Sequence, residues 1–562
     1  MNPNGACIVQ RDLTVLLETD HPGFERARES LSRFAELVKS PASFHTYRVT
    51  PLSLWNAAAG GLVTDEIIGM LRELSRWELP SGLEPEVREV MSRYGLIKLK
   101  GIEGEKDRLL LTSSISEPGL LLKLLRDKAA DYQLQFIDEC SLKLPARWRG
   151  ALKQELVRLG YPVLDEAGYH AGQALTVQFA PQCEGRRFAL RPYQQSAVDA
   201  FTGSTHGDSG SGVIVLPCGA GKTIVGLAAM ERLQCETLIL TSNVTSVRQW
   251  ISEIGDKTTI PSELVGEYTG VKKQISPVTV STYQILTHRD RSTEDFKHMR
   301  LFGERDWGLI IYDEVHLLPA PVFRATADIQ ATRRLGLTAT LVREDGCERD
   351  VFSLIGPKRY EVPWKVLEER GFIAKVECSE VRIPLPDRLL EQYEKAQIRE
   401  KYRVAAENPR KLEVVRKLLE RHADCSILII GQYLEQLRLA AEEFGIPLIN
   451  GSTPQEERVR LFGEFRQGMI PVLAVSKVAN FAVDLPDASV AIQISGSFGS
   501  RQEEAQRLGR ILRPKEDGRG AYFYTLVSEG TREQDFALRR QLFLIEQGYE
   551  YEVALDREGE GA

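Results

Sequence analysis

The segment Leu216–Thr223, with the sequence LPCGAGKT, constrains the fold of this chain more than any other stretch. It follows the β-branched run Val213–Val215 and leads into Ile224–Met230, which has the composition of a helix. A strand, a glycine-rich turn and a helix N-terminus together form a cradle for phosphate groups. Lys222 can reach the terminal phosphates, and Thr223 can offer its hydroxyl to Mg²⁺. The candidate nucleotide-binding residues of the loop are Pro217, Cys218, Gly219, Ala220, Gly221, Lys222 and Thr223.

A pair of carboxylates follows a second apolar strand. The run Leu309–Tyr312 is typical of a buried strand, and Asp313 and Glu314 come directly after it. Hydrolysis of a nucleoside triphosphate needs a carboxylate that holds Mg²⁺ and a base that orients the attacking water, and we assign these roles to Asp313 and Glu314. We expect His316 and the two hydroxyls of Leu337–Thr340 to couple the nucleotide site to a second domain. Taken alone, each motif has a structural alternative, either a tight turn with a surface lysine or an acidic helix N-cap.

Short apolar strands alternate with helical stretches in two separate parts of the chain. Continuous apolar runs are typical of strands that are buried on both faces of a parallel sheet. Ligands of such sheets bind at the carboxyl ends of the strands, where the phosphate loop lies. The strands predicted for the first part are Val213–Leu216, Thr237–Thr241, Val278–Thr282, Leu309–Tyr312 and Arg334–Leu337, and those for the second part are Ser426–Ile430, Pro447–Ile449, Val472–Val475, Val490–Ile494 and Ala521–Leu526. The sequence therefore predicts an α/β fold with two parallel-sheet domains.

The remaining stretches complete the predicted domain organisation. Residues 1–185 form an N-terminal α+β accessory region that we expect to bind DNA or a partner, with amphipathic helices over Ser30–Lys39 and Asp65–Arg76. The two parallel-sheet domains span residues 186–365 and 366–562, and the second contains a charge-rich helical insertion at about 386–422. This insertion is either a solvated helix pair or a grip on a nucleic acid backbone, with Tyr393 and Tyr402 stacking on bases.

Composition narrows the class of protein further. The chain has 562 residues and a net charge of −7, so nucleic acid would have to bind in a locally basic groove. No window has the apolar length of a membrane span, and the N-terminus lacks the pattern of a signal peptide. The eight cysteines include no C-x-x-C pair. We therefore expect reduced thiols, no zinc site, no membrane partner and a cytoplasmic location.

Taken together, the motifs resemble those of the XPB family of superfamily 2 helicases. The segments PCGAGKT, DEVH and LTAT occur in the order of that superfamily's first three motifs. The Arg-Glu-Asp sequence at Arg343–Asp345 resembles an element characteristic of the XPB family, and Gln506–Pro514, QRLGRILRP, resembles motif VI. Two further segments, Thr241–Trp250 and Val280–Gln284, resemble DNA-contacting motifs. The resemblance covers the chain from Phe188 to about Val527.

This resemblance implies two RecA-like motor domains, a thumb-like role for the helical insertion, and ATP and Mg²⁺ as cofactors. It implies that Arg191 and Gln194 recognise adenine and that Gln506 also contacts the nucleotide. It further implies that Arg510 and Arg513 act as arginine fingers in catalysis, beside Lys222, Asp313 and Glu314. The residues that it implicates in DNA contact or unwinding are Thr282, Arg343, Glu344, Asp345 and Ser476.

We therefore expect an ATP-dependent 3′–5′ DNA helicase that acts on single-stranded or forked duplex DNA, in DNA repair or in processes linked to transcription. Two alternatives stay open. One is a translocase on double-stranded DNA that does not separate the strands. The other is a DNA-binding scaffold that recruits a nuclease, against which the intact Lys222, Asp313 and Glu314 argue. Members of the family work with a partner nuclease or inside repair complexes, but no residue pattern in this chain identifies such a partner.

Overall fold

The computed structural model of the protein describes residues 2, 4–39, 43–183, 186–203, 210–217, 219–288, 297–330, 332–339, 348–476, 488–496, 520–546, 549 and 551–555. The chain divides into two compact units. The first comprises Met1–Leu216 and Gly221–Glu361, and the second comprises Val362–Ala562 with the short segment Pro217–Ala220. Within the described residues, no helix combines the length and the apolar character that crossing a membrane requires.

The N-terminal part of the first unit contains two sheets with helices packed beside them. Its strands are β1 (Cys7–Val9), β2 (Thr14–Glu18), β3 (Glu36–Lys39), β4 (Phe44–Arg48), β5 (Ile97–Ile102), β6 (Glu105–Ser113), β7 (Gln135–Phe136), β8 (Ser141–Pro145) and β9 (Val163–Glu166). Its helices are α1 (Phe24–Ser32), α2 (Pro51–Ala59), α3 (Thr64–Leu74), α4 (Leu83–Ser92), α5 (Leu120–Leu125) and α6 (Arg149–Arg158). The first four strands form an antiparallel sheet in the order β1-β2-β4-β3, and the other five form a mixed sheet in the order β7-β8-β6-β5-β9.

The rest of the first unit is built around a parallel sheet. Its strands are β10 (Gln182–Cys183), β11 (Arg186–Arg187), β12 (Ser211–Val215), β13 (Thr237–Thr241), β14 (Val265–Tyr268), β15 (Val278–Thr282), β16 (Leu309–Asp313), β17 (Arg333–Thr338) and β18 (Lys358–Glu361). Its helices are α7 (Pro192–Thr202), α8 (Lys222–Leu233), α9 (Val244–Lys257), α10 (Tyr283–Leu286), α11 (Ala320–Asp328) and α12 (Glu348–Leu354). Strands β12 to β18 form the parallel sheet, in the order β14-β15-β13-β16-β17-β12-β18, and all its pairs are parallel. Strands β10 and β11 pair only with each other, in antiparallel orientation. The predicted parallel sheet is confirmed.

A buried ionic cluster joins the N-terminal region to this sheet. The guanidinium of Arg149 on α6 donates two hydrogen bonds to Asp165 on β9, at 3.0 and 2.8 Å. The ammonium of Lys153 donates to the same carboxylate and to Gln330, both at 2.9 Å. Gln330 lies between α11 and β17, so the cluster connects elements of both parts of the unit. Since buried charges are costly unless they are paired, these contacts fix the position of α6.

The second unit contains a second parallel sheet. Its strands are β19 (Val376–Ile383), β20 (Ile427–Gly431), β21 (Leu448–Ile449), β22 (Val472–Ser476), β23 (Val490–Gln493), β24 (Ala521–Ser528) and β25 (Tyr551–Leu555). Its helices are α13 (Trp364–Glu369), α14 (Asp387–Lys395), α15 (Ile398–Ala406), α16 (Arg410–Arg421), α17 (Leu434–Phe444), α18 (Gln455–Arg466) and α19 (Arg532–Glu546). The sheet order is β21-β22-β20-β23-β24-β19-β25, again with parallel pairs. Both halves therefore have the predicted α/β architecture.

The structure corrects the expectation that Tyr393 and Tyr402 stack on bases. Helices α14, α15 and α16 occupy the predicted insertion, but Tyr393 is only 8% exposed and Tyr402 only 1%. The hydroxyl of Tyr393 accepts a hydrogen bond from the backbone N–H of Arg532, and the ring of Tyr402 packs edge-on against Phe536 at 5.0 Å. Both tyrosines therefore hold the insertion against helix α19 of the same unit. The proposed grip of the insertion on DNA stays a prediction that these two rings do not support.

A second correction concerns the helix predicted over Ser30–Lys39. Helix α1 ends at Ser32, and Glu36–Lys39 forms strand β3, which pairs with β4. The spacing of the apolar residues fits a helix, but the sheet edge offers backbone hydrogen bonds and burial to the second half of the segment. The other predicted N-terminal helix, over Asp65–Arg76, is confirmed by α3.

Candidate active site

The phosphate loop connects the carboxyl end of β12 to the first turn of α8. Two of its glycines have positive φ, +80° at Gly219 and +81° at Gly221, a region that residues with a β-carbon disfavour. A β-carbon built at Gly221 would lie 2.6 Å from Gln194 Nε2. The fold therefore brings Gln194, a predicted adenine-binding residue, against the loop and requires glycine at this point.

The loop ends at the start of helix α8. The backbone N–H of Ala220 donates to the carbonyl oxygen of Pro217 at 3.2 Å and closes a tight turn. Lys222 and Thr223 are the first two residues of α8, where backbone N–H groups have no acceptor within the helix. Such a helix start is suited to phosphate. Cys218 lies outside the described residues.

Lys222 and Glu314 form an ion pair directly behind the loop. Lys222 Nζ lies 2.8 Å from Glu314 Oε1, and the two side chains are only 12% and 19% exposed. The pair joins the start of α8 to the end of β16, residues that are 92 positions apart in the chain. The structure thus brings together the predicted phosphate-binding lysine and the predicted base.

Asp313 lies at the end of β16 and is held by aromatic side chains. The indole Nε1 of Trp250 donates to Asp313 Oδ2 at 2.9 Å, and the hydroxyl of Tyr283 donates to the backbone carbonyl of Asp313 at 2.9 Å. Burial, and then the neighbouring carboxylate of Glu314, raise the pKa of Asp313, while Lys222 and the Trp250 hydrogen bond oppose that rise. Asp313 is thus a carboxylate whose negative charge calls for a further cation.

The turn after Asp313 has a strained backbone. Glu314 has φ of +52°, which is rare for a residue with a side chain and persists only where the surrounding structure fixes it. Two residues on, His316 is buried, and its Nδ1 lies 2.7 Å from Thr338 Oγ1 and 3.4 Å from Glu314 Oε2. His316 thus links the end of β17 to the predicted base. Thr340 lies outside the described residues.

The segment before α7 carries the other predicted nucleotide contacts. Gln194 Oε1 accepts a hydrogen bond from the backbone N–H of Arg191 at 2.9 Å, and Arg191 Nη1 donates to the hydroxyl of Tyr193 at 3.1 Å. These contacts cap helix α7 and fix Gln194, which lies against the loop at Gly221. The adenine-binding role of Arg191 and Gln194 stays a prediction.

The predicted DNA-contacting residues that the structure describes, Thr282 and Ser476, are both buried. Thr282 is buried at 2% exposure, and its hydroxyl accepts a hydrogen bond from the backbone N–H of Ile285 at the start of α10. Ser476 is equally buried at the carboxyl end of β22. A DNA role for either one stays a prediction. The predicted site residues that lie outside the described residues are Arg343, Glu344, Asp345, Gln506, Arg510 and Arg513.

The sequence does not predict the contacts that Trp250 and Tyr283 make with Asp313, because both residues lie in segments that resemble DNA-contacting motifs. One local feature of the sequence indicates that another residue packs closely against helix α8. Gly226 interrupts the apolar helix α8, and a β-carbon built there would lie 2.5 Å from the Trp250 ring. A glycine inside a helix indicates a close neighbour, although it does not say which one.

The arrangement is suited to the hydrolysis of a phosphoanhydride. The cation Lys222 lies at the start of α8, a helix start of the kind that binds phosphate, and two carboxylates lie at the end of β16 in the same sheet. A half-buried carboxylate and a threonine hydroxyl are oxygen ligands of the kind that Mg²⁺ prefers, so the side chains of Asp313 and Thr223 fit a magnesium ion. The role of Glu314, the residue after Asp313, as the base stays a prediction.

Family models match three segments of the chain. Residues 367–560 match the model described as "ERCC3/RAD25/XPB C-terminal helicase". Residues 187–343 match "Type III restriction enzyme, res subunit", and residues 7–137 match "Helicase conserved C-terminal domain". The phosphate loop and the carboxylate pair both lie inside the second of these matches.

Curated relatives match over nearly the full length. A protein of Kineococcus radiotolerans named "DNA 3′-5′ helicase XPB" is 50% identical, over 98% of this chain and 96% of that protein. A Mycobacterium tuberculosis protein of the same name is 48% identical, over 98% and 97%. The Saccharomyces cerevisiae "General transcription and DNA repair factor IIH helicase/translocase subunit XPB/SSL2" is 33% identical, over 96% of this chain and 71% of that protein.

Proposed function

The chain belongs to the XPB family of DNA helicases, and we propose that it hydrolyses ATP at the cluster of Lys222, Asp313 and Glu314 to unwind DNA in the 3′–5′ direction. The observation that carries the proposal is the ion pair between Lys222 and Glu314, at 2.8 Å behind the phosphate loop. This ion pair supports the proposal because it joins the predicted phosphate-binding cation to the predicted base at the carboxyl edge of the sheet.

Nucleotide binding would rearrange this ion pair. The negative charge of the terminal phosphates competes with Glu314 for the ammonium of Lys222, because phosphate oxygens carry more charge than one carboxylate. Once Lys222 turns to the phosphates, the carboxylate of Glu314 can accept a proton from the attacking water. That water forms a bond to the γ-phosphorus while the bond to the bridging oxygen breaks, which yields ADP and phosphate. The base is therefore inactive until its substrate arrives.

Asp313 and Thr223 would hold Mg²⁺, which supplies positive charge to the phosphate oxygens when it is bound. The Trp250 hydrogen bond favours the ionised form of Asp313 by lowering its pKa, and Tyr283 fixes the backbone at the same residue. We assign the arginine-finger role to Arg510 and Arg513 on the strength of the motif VI resemblance alone.

We propose that the cell uses this activity in DNA repair or in a process linked to transcription. The yeast relative's name supports both uses, since it includes transcription and DNA repair factor IIH. We propose single-stranded or forked duplex DNA as the substrate and a cytoplasmic location. A nuclease partner remains part of the proposal without support from any feature of the described residues.

A second candidate is translocation on double-stranded DNA without strand separation. The name of the yeast relative includes the term helicase/translocase, which supports translocation as the second candidate function. Separate assays of ATP-dependent unwinding on duplexes with a 3′ or a 5′ tail, and of third-strand displacement from a blunt triplex, distinguish the two. We expect unwinding of the 3′-tailed duplex only. Third-strand displacement without any unwinding would indicate a translocase and not a helicase. Inactivity in both assays, with DNA binding retained, would indicate a DNA-binding scaffold.

A further inference from the structure

Three buried cations lie close together on helix α6 and strand β17, and we name Arg149, Lys153 and Arg334 the cation cluster. Lys153 Nζ donates to the side-chain oxygen of Gln330 at 2.9 Å, and Arg334 Nη1 donates to the backbone carbonyl oxygen of the same residue at 2.7 Å. Arg149 and Lys153 both donate to Asp165. These shared partners bring three positive side chains into one buried site.

The positive charge of the cation cluster exceeds the negative charge that contacts it. Asp165 is the one carboxylate among the described residues that pairs with the cluster. Arg334 donates instead to three uncharged backbone carbonyl oxygens, and its Nη2 has no hydrogen-bond partner in the described part of the chain. Two of the three positive charges are therefore left there without a counterion. Since buried charge is unfavourable unless it is paired, the site calls for further negative charge.

The pKa of Lys153 reflects this excess of positive charge. Burial lowers that pKa to about 8, and the neighbouring charges of Arg334 and Arg149 act in the same direction, against the attraction of Asp165. A second anion beside the ammonium would favour its charged form, because opposite charges stabilise each other where water is scarce.

A cavity, which we name the interface cavity, lies beside the cation cluster. It is bounded by α6 and β9 of the N-terminal region and by β12, α12 and β18 of the sheet. Its volume is about 420 Å³ including its open mouth, many times the roughly 30 Å³ of one water molecule. The charged, hydroxyl-bearing and aromatic side chains around it include Tyr94, Lys153, Asp165, Ser211, Phe352 and Arg359.

The interface cavity is separate from the candidate active site. Ser211 is the first residue of β12, whereas the phosphate loop follows the last residue of that strand. The two sites therefore lie at opposite edges of the same parallel sheet, and a ligand in the cavity does not contact the phosphate loop.

Cationic donors line the interface cavity from the N-terminal region and from the sheet. Lys153 Nζ donates to Asp165 and Gln330, and an ammonium has a third N–H that neither of these contacts uses. On the sheet side, Arg359 Nε donates to the backbone carbonyl oxygen of Ser211 at 3.0 Å, which holds the guanidinium at the wall. The cavity thus has one cation on α6 and another on β18.

Ser211 adds an uncharged donor to the same cavity. Its Oγ accepts a hydrogen bond from the hydroxyl of Tyr169 at 2.7 Å, so the hydroxyl hydrogen of Ser211 can be donated to a ligand. The ring of Tyr169 lies against the guanidinium groups of Arg149 and Arg334, at 5.3 and 5.6 Å from its centroid. The hydroxyl of Ser211 is therefore joined to the cation cluster through one aromatic ring.

We propose that the interface cavity binds a free oxyanion of the phosphate class, held by Lys153, Arg359 and Ser211. A divalent oxyanion balances the two excess positive charges, and its several acceptor oxygens match donors on more than one wall. Because these donors belong to α6, β12 and β18, the bound ion fastens the N-terminal region to the sheet. Occupancy of the site should therefore stabilise the docking of α6 and β9.

The test measures amide hydrogen exchange in α6 and β9 while inorganic phosphate is titrated at constant ionic strength. The reference protein carries Lys222→Ala, which weakens phosphate binding at the phosphate loop, and calorimetric titration of this protein gives the Kd. Lys153→Met is added to the reference as the test variant. The matched control is Lys98→Met, which removes a lysine that pairs with Glu166 on β9.

A ligand that binds only the docked form increases protection by the factor one plus the ratio of its concentration to Kd. Phosphate at ten times its Kd should therefore raise protection about elevenfold in the reference and in Lys98→Met. Loss of a hydrogen bond from a charged donor weakens binding at least about tenfold, so the same concentration should raise protection of Lys153→Met no more than about twofold.

Three results would overturn the anion site. They are the absence of a saturable increase in the reference, an equal increase in Lys153→Met, and protection by adenosine monophosphate but not by phosphate, which would indicate a nucleotide in place of a free ion. Should Lys153→Met fail to fold, Arg359→Met removes the cation of β18 and should show the same loss of phosphate-dependent protection. An elevenfold increase in a folded Arg359→Met protein would contradict the proposal.

Discussion

Trp250→Phe should make ATP hydrolysis more sensitive to acid. The indole N–H of Trp250 donates to Asp313 Oδ2 at 2.9 Å, and a hydrogen bond to the ionised form of a carboxylate lowers its pKa. Burial and the Glu314 carboxylate already raise the pKa of Asp313. Without the N–H donor, that pKa rises further. Since a protonated Asp313 cannot hold Mg²⁺, a larger fraction of the enzyme is inactive at any given acidic pH.

The size of the effect follows from the energy of that hydrogen bond. A hydrogen bond to a charged group contributes about 1.5–3 kcal/mol. One pKa unit corresponds to about 1.4 kcal/mol, so the pKa of Asp313 should rise by about one to two units. The acid limb of kcat/KM for MgATP should move to higher pH by the same amount. Activity should return at alkaline pH, because Asp313 is then ionised in both proteins.

A matched control separates this effect from the loss of an indole ring. Trp307 in the same unit is 2% exposed, and its Nε1 donates to the backbone carbonyl of Leu301 at 3.0 Å. Trp307→Phe removes the same volume and one hydrogen bond, but it leaves Asp313 untouched. The measurement is the pH profile of kcat/KM for both variants and the wild type. An acid limb of Trp250→Phe that coincides with the wild type, or an equal shift in Trp307→Phe, would refute the reasoning.

Two further predictions concern the first unit. Asp165→Asn should destabilise the packing of α6 and β9 by about 3–5 kcal/mol, because it leaves Arg149 and Lys153 as buried cations without an anion. Loss of amide hydrogen-exchange protection in β9 measures this, and unchanged protection would contradict it. Gly221→Ala should weaken ATP binding by at least about tenfold, because a β-carbon is disfavoured at φ of +81° and would crowd Gln194. Equilibrium titration with a fluorescent ATP analogue measures this, with wild-type affinity as the contrary result.

Most interior strands of both sheets could be predicted from the sequence because burial on both faces requires unbroken apolar runs, whereas the interior strand β19, whose burial is interrupted by exposed and half-buried residues, was not predicted. Thr237–Thr241 and Val278–Thr282 have the predicted bounds, and every residue in them is buried. Of the edge strands, only β21 was predicted, as part of Pro447–Ile449. Lys358–Glu361 is polar and only half-buried, so nothing in its composition distinguishes it from a loop. Its assignment depends on pairing with β12, which is a tertiary contact.

The candidate site divides in the same way. The residues that meet phosphate or water, such as Lys222 and Glu314, could be predicted because their chemistry needs particular side chains in a local motif. The residues that hold them could not, because the contact between Trp250 and Asp313 joins positions 63 apart in the chain. Tyr402 shows the opposite error. An aromatic residue in a charged helix is typical of a base-stacking surface, but this ring is buried in the second unit.

The most direct test of the account is ATP hydrolysis with and without single-stranded DNA, measured together with unwinding of a 3′-tailed duplex. The proteins are the wild type, Lys222→Ala and the control Lys257→Ala, which removes an ion-paired lysine of α9. We expect hydrolysis that DNA stimulates, and unwinding, in the wild type and in Lys257→Ala. Both activities should fall by about 10²-fold or more in Lys222→Ala. Hydrolysis at the wild-type rate in Lys222→Ala, or none in a wild type that still binds DNA, would contradict the account.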